Sequence, residues 1–156
     1  MAEPLKNMYN PDFVQNLSTA LQNVDEKFQQ KAFTKSVLNS EWNDLELKSR
    51  TLHISTQMEA YLQYDYKEQI DVLRKVAPHF SGFTATIFPT FVEIFGLTYV
   101  ETSLHALEEF TQYSTSEFAI RPFLANDPNL IQVMYKWSKS PNFHVRRLAS
   151  EGCRPL

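Results

Sequence analysis

The sequence predicts an all-α fold, an α-solenoid in which antiparallel helices stack in pairs, and three observations favour it. The 156-residue chain has only three glycines, Gly82, Gly96 and Gly152, which are too few for the many tight hairpins of a β-rich fold. Apolar residues recur three and four positions apart, as on one face of a helix. Proline-bearing turns separate these stretches, which pair into units of about 30 to 40 residues, typical of helical repeats.

The first 63 residues are predicted to form three helical segments. A capping residue, Asn10, and a proline, Pro11, open a helix that continues to Val24. A second apolar cluster spans residues 28–38. A longer helical region, with its charges between the apolar positions, spans about residues 41–63.

The middle of the chain is predicted to form three more helices. The first covers 66–76, where Pro78 ends it. The apolar run 83–95 reads as a buried helix, kinked or in two parts, because Pro89 would remove a hydrogen-bond donor from the middle of a strand. The third covers 99–113.

The last third is predicted to contain three short helices. In the piece 116–124, Pro122 disfavours a helical conformation for Arg121, so we expect a kink or boundary there. An Asp-Pro pair opens the helix 127–137, and the last helix covers 142–152. The predicted apolar face of this last helix consists of Val145, Leu148, Ala149 and Gly152.

Composition excludes several classes of protein. No segment approaches the roughly 20 apolar residues of a membrane span. The single cysteine, Cys153, excludes an internal disulfide and a cysteine-based zinc site, and the histidines are too dispersed for a zinc motif. Three distant glycines cannot form a phosphate-cradling or dinucleotide-binding loop. Because these motifs are absent, we expect no metal and no cofactor. The start of the chain lacks the apolar stretch of a signal peptide, so we expect a cytoplasmic protein.

The net charge of −3 hides an uneven distribution. Residues 1–116 carry 9 basic and 15 acidic side chains, whereas residues 117–156 carry 6 basic and 3 acidic ones. A basic end on an acidic body can bind phosphate, because the phosphate backbone of a nucleic acid is attracted by nearby charges more than it is repelled by the net charge of the whole chain. The alternative is an ordinary solvated helix face.

Three segments carry a resemblance to a known family. They read Glu-Phe-Ala-Ile-Arg-Pro-Phe over 117–123, Trp-Ser at 137–138, and His-Val-Arg-Arg-Leu-Ala-Ser-Glu-Gly-Cys-Arg-Pro over 144–155. With Pro-Leu-Lys at 4–6 and Trp-Asn-Asp-Leu-Glu-Leu-Lys at 42–48, the chain resembles the AlkC family of bacterial DNA alkylation repair glycosylases along its whole length.

The resemblance implies a HEAT-like helical-repeat scaffold, related to the AlkD group, that binds alkylated double-stranded DNA on its concave face. It implies hydrolysis of the N-glycosidic bond of N3-methylated bases, notably 3-methyladenine, without full insertion of the base into a pocket. Residues 1–156 would form a single domain, the N-terminal part of a longer, monomeric enzyme in the bacterial cytoplasm, near the nucleoid. In the family a Leu-Pro-Trp segment and a repeat with a catalytic aspartate follow, so this chain alone is expected to lack part of its active site.

Two carboxylates are the candidate catalytic groups. Loss of a cationic base needs a negative charge near the sugar and a base for water, and carboxylates serve both purposes. Glu117 and Glu151 lie about one repeat apart, so both side chains can face one nucleotide. The alternatives are surface ion pairs of Glu117 with Arg121 and of Glu151 with Arg147.

The candidate DNA contacts lie in the same basic region. They are Arg121, Trp137, His144, Arg146, Arg147 and Arg154. One guanidinium group can donate two parallel hydrogen bonds to phosphate oxygens, and Trp137 can stack on a base or sugar. The alternatives are solubility for the arginines, capping for His144 and a core position for Trp137, which its helical spacing favours. A non-catalytic interaction scaffold is the alternative function, since helical solenoids commonly bind proteins.

Overall fold

The chain is helical throughout the part that the structure describes. The computed structural model describes residues 3–154, which contain nine α-helices and no β-strand. The helices are α1 (Pro11–Val24), α2 (Gln30–Val37), α3 (Leu47–Tyr61), α4 (Tyr66–Val76), α5 (Ile87–Phe95), α6 (Val100–Phe110), α7 (Glu117–Asn126), α8 (Ile131–Trp137) and α9 (Phe143–Gly152). The prediction of an all-α fold is confirmed.

The helices pack in two rows. One row runs α3, α5, α7, α9, each helix in contact with the next, and the other runs α1, α4, α6. Helix α6 contacts both α5 and α7, and α2 contacts both α1 and α3, so the two rows are joined, while α8 packs on α9. Helix pairs stacked side by side are the architecture of a helical repeat, so this prediction is confirmed too.

Local capping signals set the start of several helices. The Asn10 side chain accepts a hydrogen bond from the backbone N–H of Phe13 at 2.8 Å, at the start of α1. The Asp65 side chain does the same for the N–H of Glu68 at 2.9 Å, at the start of α4. Both helices have the predicted bounds, although the Asp65 cap was not among the signals used for α4.

Two other predicted segments are divided. The region 41–63 is not one helix, because Trp42–Asp44 form a separate 3₁₀ turn with a buried Trp42 before α3 begins at Leu47. The apolar run after Gly82 is in two parts, as expected: a 3₁₀ turn over Phe83–Thr86 precedes α5. Pro89 is the third residue of α5, where a missing N–H costs no helical hydrogen bond.

Of the two outcomes predicted at Arg121, a helix boundary is wrong, and a kink stays a prediction. Helix α7 continues through Pro122 to Asn126. The proline removes one backbone hydrogen bond, but Ile120 before it and Phe123 after it are both buried. Burial of side chains on both sides of the proline keeps the segment helical.

One apolar cluster forms the core and continues from the first helices to the last. It contains Tyr9 and Leu17 near the start of the chain, Phe88 and Phe110 in the middle, and Leu148 in α9. Stacked repeats need such a continuous core, because no single repeat buries its own apolar face. No helix within residues 3–154 is long and apolar enough to cross a membrane.

Candidate functional site

Helix α9 carries most of the predicted site, and a side-chain cap fixes its start. The Asn142 side chain accepts hydrogen bonds from the backbone N–H of His144 at 2.8 Å and of Val145 at 3.3 Å. At the other end, a Cβ on Gly152 would lie 2.7 Å from Ile120 Cγ2 and 2.9 Å from Met134 Cε. Glycine therefore lets α9 approach α7 and α8 closely, and the predicted apolar face of α9 is buried.

Glu117 is the first residue of α7 and is half-buried. The preceding Ser116 is buried, and its hydroxyl donates to the Leu107 carbonyl oxygen at 2.8 Å, which holds the start of α7 against α6. The positive end of the helix dipole favours a negative charge on Glu117. Within the described residues Glu117 forms no ion pair, so the alternative of a pair with Arg121 is wrong.

Glu151 lies in the last turn of α9 and has a different partner from the one considered from the sequence. Its Oε2 lies 3.4 Å from Arg154 Nη1, not beside Arg147. The Glu151 side chain is 29% exposed and that of Arg154 is 68% exposed. A pair this accessible contributes at most about 1 kcal/mol, so the carboxylate can exchange Arg154 for another partner at little cost.

Arg121 connects α7 to the end of α9. Its Nη2 donates to the backbone oxygen of Glu151 at 3.4 Å, and its Cζ lies 5.0 Å from the centre of the Phe118 ring. Glu117 precedes Arg121 by one helical turn, about 5–6 Å between Cβ atoms. The backbone at both glutamates thus adjoins Arg121, while convergence of the two carboxylates on one nucleotide stays a prediction. A half-buried Arg121 that donates within the chain has less freedom to bind phosphate than the sequence suggested.

The other predicted DNA contacts on α9 are exposed. His144 lies edge to face against Phe143, and Arg146 donates to the Ser140 carbonyl oxygen at 2.8 Å. Arg147 has no hydrogen bond or ion pair among residues 3–154, so its guanidinium is free. Arg154 is also accessible. Their contact with DNA stays a prediction, and Pro155 of the motif lies outside the described residues.

Trp137 does not have the accessibility that stacking on DNA requires. It is 6% exposed and belongs to the core at the end of α8. A ring enclosed by protein cannot present a face to a base. We therefore correct the assignment of Trp137 as a DNA contact: its position is the core alternative that helical spacing favoured.

A groove across α3, α5 and α7 contains a residue that sequence reasoning missed. The groove has a volume of about 520 Å³, and its lining includes Lys48, Glu93, Thr115 and Phe118. Burial raises the pKa of the Glu93 carboxyl, and Lys48 opposes this shift in pKa. The signal was available in the sequence, because Glu93 is the single charged residue of the apolar helix α5. Since Thr115 and Phe118 flank Glu117 in the chain, the groove adjoins the start of α7.

The described residues do not bring a set of metal ligands together. Among residues 3–154, no group of three or more histidine, cysteine, aspartate or glutamate side chains is arranged to hold a metal ion. His53 instead contacts the Ser36 and Val37 carbonyl oxygens at 3.1 and 3.0 Å, within the packing of α2 on α3.

Comparison with known proteins relates this chain to one family. No family model matches the chain. It is 41% identical over 152 residues to the uncharacterized protein YhaZ of Bacillus subtilis, covering 97% of this chain and 43% of YhaZ. It is 34% identical to a solved structure described as Pseudomonas fluorescens alkylpurine DNA glycosylase AlkC bound to DNA containing an abasic site analog. That match has a TM-score of 0.94 and covers 100% of this chain and 44% of AlkC.

The match in fold and sequence extends over every helix described above. The chain spans less than half the length of the two relatives it matches. The resemblance of this chain to the AlkC family is nonetheless confirmed.

Proposed function

We propose that this chain is part of a DNA glycosylase that binds alkylated double-stranded DNA and hydrolyses the bond between the damaged base and its sugar. The observation that carries the proposal is the similarity of the whole chain to an AlkC glycosylase bound to DNA with an abasic site analogue. An abasic site is what remains after a glycosylase has removed a base. Because the chain spans 44% of that glycosylase, the proposed activity belongs to the full protein that contains it.

The proposed substrates are N3-methylated bases such as 3-methyladenine. Methylation at N3 leaves the adenine base with a positive charge. When the C1′–N9 bond breaks, its electron pair returns to the base, which departs neutral, and a positive charge develops on the sugar. Water then adds to C1′ and loses a proton, so the chemistry needs a nearby negative charge and a proton acceptor, not a strong general acid.

Glu117 and Glu151 are the proposed catalytic groups. An anionic oxygen near the sugar stabilises its developing positive charge, and a second carboxylate within hydrogen-bond reach of water takes up the proton. Two features support this choice: Glu117 has no ion-pair partner among the described residues, and the contact of Glu151 with Arg154 is accessible and weak.

The outer surface of α9 is the proposed DNA contact. Arg146, Arg147 and Arg154 are exposed there beside His144. Their charges attract phosphate oxygens through charge-assisted hydrogen bonds, and affinity that arises in this way falls with salt. The proposal places the sugar of the damaged nucleotide near the α7–α9 junction.

The test measures base release and binding separately, with the full protein. A duplex that contains 3-methyladenine should lose the base in single-turnover reactions, and an undamaged duplex of the same sequence is the control. Binding to either duplex should weaken steeply as salt increases. Salt-sensitive binding without base release would identify a DNA-binding scaffold, and absence of both would favour a scaffold for proteins.

A further inference from the structure

An aromatic ring on the surface of α9 has no role in the function proposed so far. Phe143, the first residue of α9, is 60% exposed. Its ring lies 5.4 Å from the His144 ring, centre to centre, and takes no part in the core. We propose that Phe143 stacks on a nucleobase that becomes unstacked at the lesion, and this rests on the proposed function.

Phe143 lies on the same side of α9 as the exposed Arg147. Phe143, Arg147 and Ser150 follow one another at intervals of four and three residues, and all three are exposed. We call these three residues the α9 outer face. Such intervals place side chains on one side of a helix, opposite the buried face. The outer face extends over about 10 Å, which corresponds to about three nucleotides along a DNA strand.

The helix does not need the Phe143 ring in order to fold. The start of α9 is fixed by the Asn142 side chain, which accepts from two backbone N–H groups. The core contacts of α9 come from its opposite face. The ring is therefore a large apolar surface in water that contributes little to the stability of the described residues.

The chemistry of a phenyl ring limits what it can bind. It has no hydrogen-bond donor and no charge, so its free energy of binding comes from stacking and from the release of water. Bases in an intact duplex cover each other's faces, whereas a base next to a missing or displaced neighbour has a free face. The buried Trp137 cannot occupy that position, and Phe143 can. We therefore expect the ring to favour damaged DNA over intact DNA.

The experiment compares affinity for two duplexes of the same sequence, one intact and one with an abasic-site analogue, using the full protein. The Phe143→Ala variant should bind the abasic duplex about tenfold more weakly and the intact duplex almost normally. The slope of log affinity against log salt should not change, because phenylalanine carries no charge. Phe143→Trp should keep tight binding, whereas Phe143→Leu should bind as weakly as Phe143→Ala.

A matched control removes an exposed aromatic ring elsewhere. Tyr99 is 53% exposed and immediately precedes α6, in the other row of helices. The Tyr99→Ala variant should bind both duplexes as the wild type does. Melting temperatures should show that the Phe143 variants remain folded.

Several results would overturn the inference. They are unchanged affinity of Phe143→Ala for the abasic duplex, an equal loss on both duplexes, and a fall in Tm of several degrees with affinity unchanged, which would assign the ring to packing. If Arg147→Ala weakens binding and Phe143→Ala does not, the stacking role fails and the proposed DNA binding stands. If the wild type binds neither duplex, the proposed function fails and the role of Phe143 fails with it.

Discussion

Two arginines, Arg50 in α3 and Arg147 in α9, have opposite environments in this protein: the first is buried and the second is exposed. Arg50 in α3 is 5% exposed, and its Nη1 donates to the carbonyl oxygens of Lys6 at 2.9 Å and Tyr9 at 3.1 Å. Its Nη2 donates to the Trp42 carbonyl oxygen at 3.3 Å, and its Cζ lies 4.4 Å from the Trp42 ring centre. Arg147 in α9 is exposed and makes no such bond within residues 3–154.

The difference lies in the backbone around each guanidinium. The chain before α1 and the turn before α3 bring three carbonyl oxygens to Arg50, so its charge holds the protein together. Within residues 3–154 no carbonyl oxygen accepts a hydrogen bond from Arg147, so its donors can bind phosphate. The number of charges along the sequence does not distinguish these two uses. We therefore expect removal of Arg50 to lower stability and removal of Arg147 to weaken DNA binding.

Removal of the buried arginine should have the largest effect. Arg50→Met leaves three carbonyl oxygens without their donor, and we expect a loss of about 3 kcal/mol in the free energy of unfolding. In a chain of this size that corresponds to a fall of about 10 °C in Tm. Thermal unfolding followed by circular dichroism measures it. A variant as stable as the wild type would show that Arg50 is dispensable to the fold.

The next largest effect is expected in catalysis at the α7–α9 junction. Glu151→Gln should lower the single-turnover rate of 3-methyladenine release by about 100-fold or more, because the amide can neither take a proton nor supply a negative charge. DNA affinity should change little, since Glu151 is not a phosphate contact. Rapid-quench measurement of base release, with Glu101→Gln in α6 as the control, tests this. An unchanged rate would remove Glu151 from the mechanism.

The exposed arginine should influence binding and not stability. Arg147→Ala should reduce the slope of log affinity against log salt by about one and weaken binding several-fold at low salt. Its Tm should remain that of the wild type, in contrast to Arg50→Met. Lys67→Ala, a neutralised exposed lysine on α4, serves as the control and should leave the slope unchanged. Equal slopes for Arg147→Ala and the wild type would exclude Arg147 from the interface.

The smallest effect concerns Glu93 in the groove. Burial raises the pKa of its carboxyl above the value in the unfolded chain, so the folded state binds the proton more tightly. The ionised carboxylate therefore costs stability, and stability falls as the pH rises through the titration of Glu93. Glu93→Gln should raise Tm by about one or two degrees at pH 7 and less at pH 4. Lys48→Met should lower Tm at pH 7 but not in the Glu93→Gln background, and the absence of this coupling would contradict the assignment.

Much of the fold could be predicted because its signals are local. A cap at Asn10 and a stripe of apolar residues define α1, and a cap at Asp65 with Pro78 beyond defines α4. The two-part structure around Pro89 is also local, because proline constrains its own backbone and that of the preceding residue. The same rule failed at Pro122, where burial of Ile120 and Phe123 outweighed one lost hydrogen bond.

The candidate site could be predicted in part. The sequence placed the apolar face of α9 correctly and so also the exposed side that bears Arg147. Sequence reasoning considered Arg147 as the ion-pair partner of Glu151, whereas the partner is Arg154, three residues later and just beyond the end of α9. It missed Glu93, because only packing of α3, α5 and α7 forms the groove around that carboxyl.

By itself, the sequence determined an all-helical chain with most of its helix bounds, its resemblance to the AlkC family and its basic last third. These properties depend on neighbours within about one or two helical turns, or on the order of residues alone. The tertiary structure alone decided that Arg50 is buried and Arg147 exposed, and that Arg121 bridges to the backbone of Glu151. The physical reason is that burial and hydrogen-bond partners depend on segments 8 to 44 residues apart in the chain, which meet only when the helices stack.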